Sequence, residues 1–222
     1  MKRTKLIHRI LPSYSAGEET MNMVTHIVGG GFALIILCLC LIKSIPAGAL
    51  QSITSGVYGC SMVLLYAMSS IYHGLPKCTG KKVLQILDHC SIYLLIAGTY
   101  TPIVLCSLVP AYPVIGWGLF AAQWILAITS IVLTAIDLRK YRVFSMICYI
   151  SMGWSIIFFL PQAMSVLSPS GFWLLFSGGI AYTIGAVLFG LGKKMKWMHS
   201  VFHIFVVLGS LLQFLTIYFY VL

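Results

Sequence analysis

The chain is partitioned by its own charges. Between short clusters of Lys and Arg run seven apolar stretches, near residues 23–42, 49–73, 83–109, 113–136, 143–161, 171–191 and 197–222. A helix rises 1.5 Å per residue, so each stretch is about long enough to cross a hydrocarbon core of ~30 Å. Such a core offers no water to the backbone, and a helix satisfies its N–H and C=O groups internally. The turns between stretches are too short for further structure, which makes consecutive helices antiparallel neighbours. The expected fold is an all-α membrane protein: a seven-transmembrane helix bundle forming one domain over residues 1–222. Only 8% of the residues are charged, against about 25% in a soluble domain.

Charge placement gives the orientation. Lys2, Arg3, Lys5 and Arg9 precede the first stretch, and Lys77, Lys81 and Lys82 fill the second connection. Arg139, Lys140 and Arg142 fill the fourth, and Lys193, Lys194 and Lys196 the sixth. Lys43 alone falls on the other side. Basic loops stay in the cytoplasm, so residues 1–22 are expected to form a cytoplasmic N-terminal segment, with the C-terminus outside. That orientation is the reverse of a G-protein-coupled receptor. Residues 1–23 are basic but lack the apolar core of a cleaved signal peptide, and are expected to remain on the mature chain. The net charge of +10 comes from these topological clusters, which argues against nucleic acid as a partner. Seven cysteines, most of them inside apolar stretches, read as small apolar residues and not as a disulfide framework.

Polar residues inside the stretches are the exception. His199 and His203 are four apart at the head of the last one, which puts both imidazoles on one helical face. His73 lies four residues before Lys77, and Asp88 six after Lys82. Counted from the basic clusters, all four groups fall roughly 4–11 Å into the membrane, at one level on three helices. Ser69 shares the stripe of His73; Asp88, Ser91 and Thr99 share another. His199, His203, Val206, Ser210 and Gln213 form a third, and Glu19, Asn22 and His26 a fourth. Four inward polar stripes imply a polar cavity opening toward the cytoplasm.

Three imidazoles with one carboxylate suit Zn²⁺, since three protein ligands leave a fourth position for water. Zinc lowers the pKa of that water toward ~7. His73, His199 and His203 are the expected ligands. Asp88 is the expected base or supporting partner, and Ser69 a hydrogen-bond donor to the water or a developing oxyanion. Other polar groups read more plainly. His8 and His89 are expected at the interface, and His26 is expected to hydrogen-bond its neighbours. Glu18 and Glu19 read as solvated acids at a helix start, and Asp137 as a surface partner of Arg139 and Lys140. Gly29, Gly30 and Gly31, with Gly178 and Gly179, read as close helix packing. Pro102 should kink the third helix.

Glu18 and Glu19 through Asn22 to His26, then Ser69 through His73, then Asp88 through Tyr93 running into Ala97 through Pro102, with His199 through His203 at the end, resemble the hemolysin III family. That family is related to progestin and adipoQ receptors, including adiponectin receptors, and more distantly to alkaline ceramidases. The resemblance covers essentially the whole chain. It implies a zinc ion near the cytoplasmic side held by His73, His199 and His203, with Asp88 and Ser69 beside the zinc-bound water, and links the group to lipid amide hydrolysis. Gln213 stands where many members carry a histidine, about 15 Å along the helix from His203. Three functions are therefore weighed. One is a zinc-dependent hydrolase of a lipid amide or ester, acting on a ceramide-like lipid or phospholipid. Another is a membrane lipid receptor or sensor with structural zinc. The third is a pore-forming cytolysin, disfavoured because an apolar chain of this kind has no water-soluble form. Substrate and oligomeric state are not written in these residues.

Overall fold

The computed structural model describes residue 4, residues 6–192 and residues 195–222. Lys2, Arg3, Lys5, Lys193 and Lys194, five of the topological cations, lie outside the described residues. The described chain is helical, with no strand. Its helices are α1 (Ala16–Ser44), α2 (Ala49–Gly74), α3 (Thr79–Pro102), α4 (Pro113–Asp137), α5 (Arg142–Trp154), α6 (Leu160–Leu191) and α7 (Met198–Tyr220). All seven apolar stretches fall on helix.

Among the described residues, five continuous helical segments are long and apolar enough to cross a membrane: Ala16–Ser44, Thr79–Ala111, Pro113–Asp137, Arg142–Leu191 and Met198–Tyr220. The fourth is 50 residues long and is broken twice. Residues Ser155–Phe159 tighten into a 3₁₀ turn, and Ser168, directly before Pro169, adopts φ 59° and ψ 163°. Pro169 has no N–H to continue the ladder, so the break falls where the sequence cannot hold a helix. Pro102 acts differently from the expected simple kink: α3 loosens after it into a π-helical stretch, Ile103–Leu108. One widened stretch relieves the carbonyls that the proline ring displaces. The outer surface of the helices is rich in apolar side chains, with Val114, Trp117, Ile125, Val187 and Phe219 exposed.

Neighbours in sequence are neighbours in space: α1 lies on α2, α2 on α3, α3 on α4, α6 on α7, and α7 returns to α1 to close a ring. The ring encloses a cavity of about 1270 Å³. No residue of Pro113–Asp137 lines it, so α4 packs outside against α3 and supports the wall without touching the interior. The expected polar cavity is corrected here. His26, Ser69, Asp88, His199 and His203 line it together with Ile92, Ile96, Phe172, Leu175, Phe176 and Val206, so its wall is largely apolar with polar groups such as Thr99, Thr183 and Gln213 set into it.

Lipid tails are as apolar as leucine, so helices in a membrane associate through close packing more than through the hydrophobic effect. A Cβ added to Gly29 would lie 2.6 Å from the Tyr66 ring, whereas one on Gly31 would meet nothing. Of the three consecutive glycines, the first is the contact. All seven cysteines are free; Cys40, Cys90 and Cys148 are buried, while Cys38 and Cys60 face outward. Asp137 corrects another expectation. It is buried, and its carboxylate accepts the backbone N–H groups of Arg139, Lys140 and Thr4 at 2.7–3.1 Å. It therefore caps the end of α4 and tethers the N-terminal segment.

Gly29→Val should lower the thermal midpoint of the purified protein, the overpacking costing about 1–3 kcal/mol. Gly31→Val should leave it nearly unchanged. Equal midpoints for the two variants would remove Gly29 from the α1–α2 contact.

Candidate metal centre

Two helix ends supply three imidazoles. His73 lies in the last turn of α2, and His199 and His203 are one turn apart at the start of α7. All three are buried, and one ring nitrogen from each lies within 4.8 Å of the others. Between His203 and His199 the Nε2 atoms are 3.2 Å apart. Tetrahedral ligands at ~2.1 Å from one ion stand ~3.4 Å from each other, inside this range.

The remaining nitrogens are held by α1. Glu19 Oε2 is 2.6 Å from His73 Nδ1, and a carboxylate only accepts, so Nδ1 carries the proton and Nε2 bears the lone pair. Asn22 Nδ2 faces the same Nδ1 at 3.4 Å, the weaker of the two contacts. Asn22 also offers its backbone carbonyl to His203 Nδ1 at 3.2 Å and its side-chain carbonyl to Ser200 Oγ at 2.6 Å. His203 Nδ1 must therefore donate, which bares its Nε2 toward His199. The fit to a metal rests on one further atom. His73 Nε2 is buried and has no hydrogen-bond partner among the described residues. A buried lone pair without a donor is costly, and a cation at the focus of the three rings satisfies it. The donor set, three neutral imidazoles with carboxylate or carbonyl support behind two of them, is that of a zinc-type site.

Neither Glu18 nor Glu19 is a solvated acid. Glu19 Oε1 accepts from Lys81 Nζ at 2.7 Å, and Lys81 is only 3% exposed. The same ammonium donates to the Leu75 carbonyl at 2.8 Å, covering an orphan acceptor at the end of α2. Glu18 is 6% exposed. It completes a capping box with Ser15, and its second oxygen accepts the Trp197 N–H at 2.8 Å. Trp197 sits at φ 66°, uncommon for a bulky residue. The Glu18 bond fixes this left-handed turn and so aims the first turn of α7, with its histidines, at α1.

His26 makes none of the expected hydrogen bonds: neither ring nitrogen has a partner among the described residues. Its ring stacks on His203 at 3.7 Å and meets the edge of Tyr66 at 5.1 Å. Tyr14, from the N-terminal segment, stacks on His199 at 4.8 Å. Burial pushes the Tyr14 phenol well above its usual range, and the neighbouring Glu19 charge adds to this, so it remains neutral against the imidazole. Asp88 and Ser69 line the same cavity as His199 and His203, Ser69 buried and Asp88 half-buried. Neither belongs to the three-residue cluster. His8 and His89 also line the cavity, with His8 exposed. Ser91 turns its hydroxyl to the Asp88 carbonyl of its own helix at 2.7 Å and is lost to the site. Deeper, Gln213 Nε2 donates to the Leu175 carbonyl at 3.1 Å, a contact that Gly178 makes possible: a Cβ there would come within 2.6 Å of Nε2.

Tyr14 and Lys81 were not singled out by sequence. Lys81 reads as one more loop cation, and the available signal was Glu19, a carboxylate within an inward stripe that required a counter-charge. Tyr14 precedes every helix and carries no periodicity to place it.

The family profile for haemolysin-III related proteins matches residues 14–214. The chain belongs to that family. Among similar haemolysin-III proteins, "Hemolysin-3" of Bacillus cereus is 42% identical over 208 residues, covering 92% of both chains. A "Hemolysin-3 homolog" of Bacillus subtilis (strain 168) is 35% identical over 208 residues, 93% of this chain and 96% of the other. The human "Monocyte to macrophage differentiation factor" is 24% identical over 213 residues, 91% and 84% of the two chains. This haemolysin-III chain is accordingly a multi-pass membrane protein.

Glu19→Gln removes the carboxylate behind His73 and should weaken metal binding about 10- to 100-fold, read by competition with a chelator. His203→Ala should leave the purified protein without stoichiometric metal. Unchanged affinity in both variants would dissolve the centre.

Proposed function

We propose that this haemolysin-III chain is a zinc-dependent hydrolase of a lipid amide or ester, working within the cytoplasmic leaflet. The observation that carries the reading is a single cavity joining His199, His203, Asp88 and Ser69 at one end to an apolar shaft beyond them. A lipid substrate, ceramide-like or phospholipid, would place its chain along Ile92, Phe172, Leu175 and Val206 and its carbonyl at the polar end.

His73, His199 and His203 would hold the zinc, which supplies a Lewis acid and a water of lowered pKa. Asp88 takes the proton of the attacking water and passes it to the departing amine or alcohol. Ser69 donates its hydroxyl hydrogen to the acyl oxygen as negative charge builds there. Asn22 and Glu19 keep the imidazole tautomers fixed, and the apolar shaft keeps bulk water from the scissile bond. Asp88→Asn should reduce fatty-acid release from ceramide or phospholipid by about 10²- to 10⁴-fold while zinc remains bound. Retained zinc with no turnover of any lipid in the wild type would replace the hydrolase with a lipid receptor or sensor. The name of the Bacillus cereus relative raises membrane lysis as a second reading. Dye release from liposomes that survives removal of the histidines would favour it.

The proposed topology has seven spans with the N-terminus cytoplasmic: α2 crosses, and the break at Ser168 divides Arg142–Leu191 into two crossings. Thirteen of the fourteen Lys and Arg on one side of that arrangement support it. In a cysteine-free background, Ala47→Cys should react with an impermeant maleimide on intact cells and Ser13→Cys should not. The opposite pattern would invert the molecule.

A further inference from the structure

Among the described residues, Arg9 is the one buried Lys or Arg that the site does not use. It follows a short 3₁₀ turn, Leu6–His8, and is 8% exposed. Its Nη2 reaches the Ile136 carbonyl at a long 3.4 Å. Nε and Nη1 are buried and have no acceptor among the described residues. No carboxylate stands within ion-pair distance, since the ion pairs of the described residues join Glu19 to His73 and Lys81. The chain has four acidic residues, and three are committed. Glu18 serves the α1 cap and Trp197, Glu19 serves His73 and Lys81, and Asp137 serves three backbone N–H groups. A guanidinium is always charged, and burying one without a counter-ion is strongly unfavourable.

Arg9 lines the cavity, and so do the exposed Arg139, Arg142 and Lys196. The exposed three are what any cytoplasmic membrane surface carries. Arg9 is not, because it is inside. Tyr14, five residues further on, stacks on His199. A fully extended chain covers at most ~3.3–3.6 Å per residue, so the Cα of Arg9 lies within about 18 Å of that of Tyr14. The cavity thus has three zones: a cation at its mouth with two unpartnered nitrogens, the polar end with Asp88 and Ser69, and the apolar shaft.

We propose that Arg9 is an anion-binding residue of the cavity mouth, taking the phosphate or carboxylate headgroup of an amphiphile whose chain fills the shaft. Arg139 and Arg142 add charge at the rim. Charge-assisted bonds to phosphate or carboxylate oxygens are the strong kind, and they supply the acceptors that Nε and Nη1 lack. The inference rests on the reading of the cavity as a lipid's binding place, and on neither hydrolysis nor metal. It narrows the ligand class from ceramide-like lipids and phospholipids together to amphiphiles with an anionic head.

The test is binding of radiolabelled dodecyl phosphate to the purified full chain in maltoside micelles, with and without chelator. Wild type should retain about one equivalent, and Arg9→Gln should bind at least about tenfold more weakly, as loss of a charged hydrogen bond implies. Lys140→Gln, an exposed cation outside the lining, should bind like wild type. Should Arg9→Gln fail to give monodisperse protein, Arg139→Gln combined with Arg142→Gln should still weaken binding severalfold. Equal binding by wild type and the Arg variants, or equal retention of uncharged dodecanol, would overturn the proposal. Displacement by inorganic phosphate at matched concentration would also overturn it, marking a free-anion site instead. Loss of binding on Arg9→Gln in chelated, inactive protein bears on Arg9 alone, whereas absent turnover with intact phosphate binding bears on the hydrolase alone.

Discussion

A buried imidazole nitrogen without a partner is costly among apolar helices, and the pairing of the Nδ1 atoms of His73 and His203 organises this end of the bundle. Two Nδ1 atoms are satisfied from α1, by the Glu19 carboxylate and the Asn22 carbonyl. Those bonds choose the tautomers, and the tautomers turn the bare Nε2 atoms toward a common point. The His73 Nε2 left unpartnered there is the strongest single indication of what the point receives. The three-histidine cluster is therefore as much a property of α1, which contributes none of its imidazoles, as of the helices that do.

Charge is spent sparingly in this chain, and three of its four carboxylates are used more than once. Glu18 closes the first turn of α1 and holds the left-handed entry to α7. Glu19 bridges an ammonium and an imidazole. Asp137 ends α4 and anchors Thr4. In a medium without water, such double duty keeps buried N–H groups paired without leaving a buried negative charge uncompensated.

Helix positions and the clustering of His199 with His203 were legible from sequence because both obey periodicities: apolar length matched to a membrane, and four-residue spacing on one face. His73 was found by depth alone, since depth along a helix can be counted from the basic clusters. Contacts made through the loops and the N-terminal segment were not legible. Lys81 looks like any loop cation until the chain reverses and brings it beneath α1. Asp137 looks exposed until the segment near Thr4 covers it. His26 fits its stripe, yet it stacks where a hydrogen bond was expected, because the donors around it are already taken by Asn22. The cavity's apolar character was also hidden, since inward-facing Phe172 and Leu175 are indistinguishable in sequence from lipid-facing neighbours.

The bonds from Asn22 to Ser200 and His203 span 178 and 181 residues, joining the first helix to the last. Contacts so distant along the chain form late. During synthesis α1 must wait, its Asn22 unpaired, until the final helix leaves the ribosome. The pocket is then assembled in one event by the arrival of residues 197–203, and a prematurely terminated chain is a bundle without a centre.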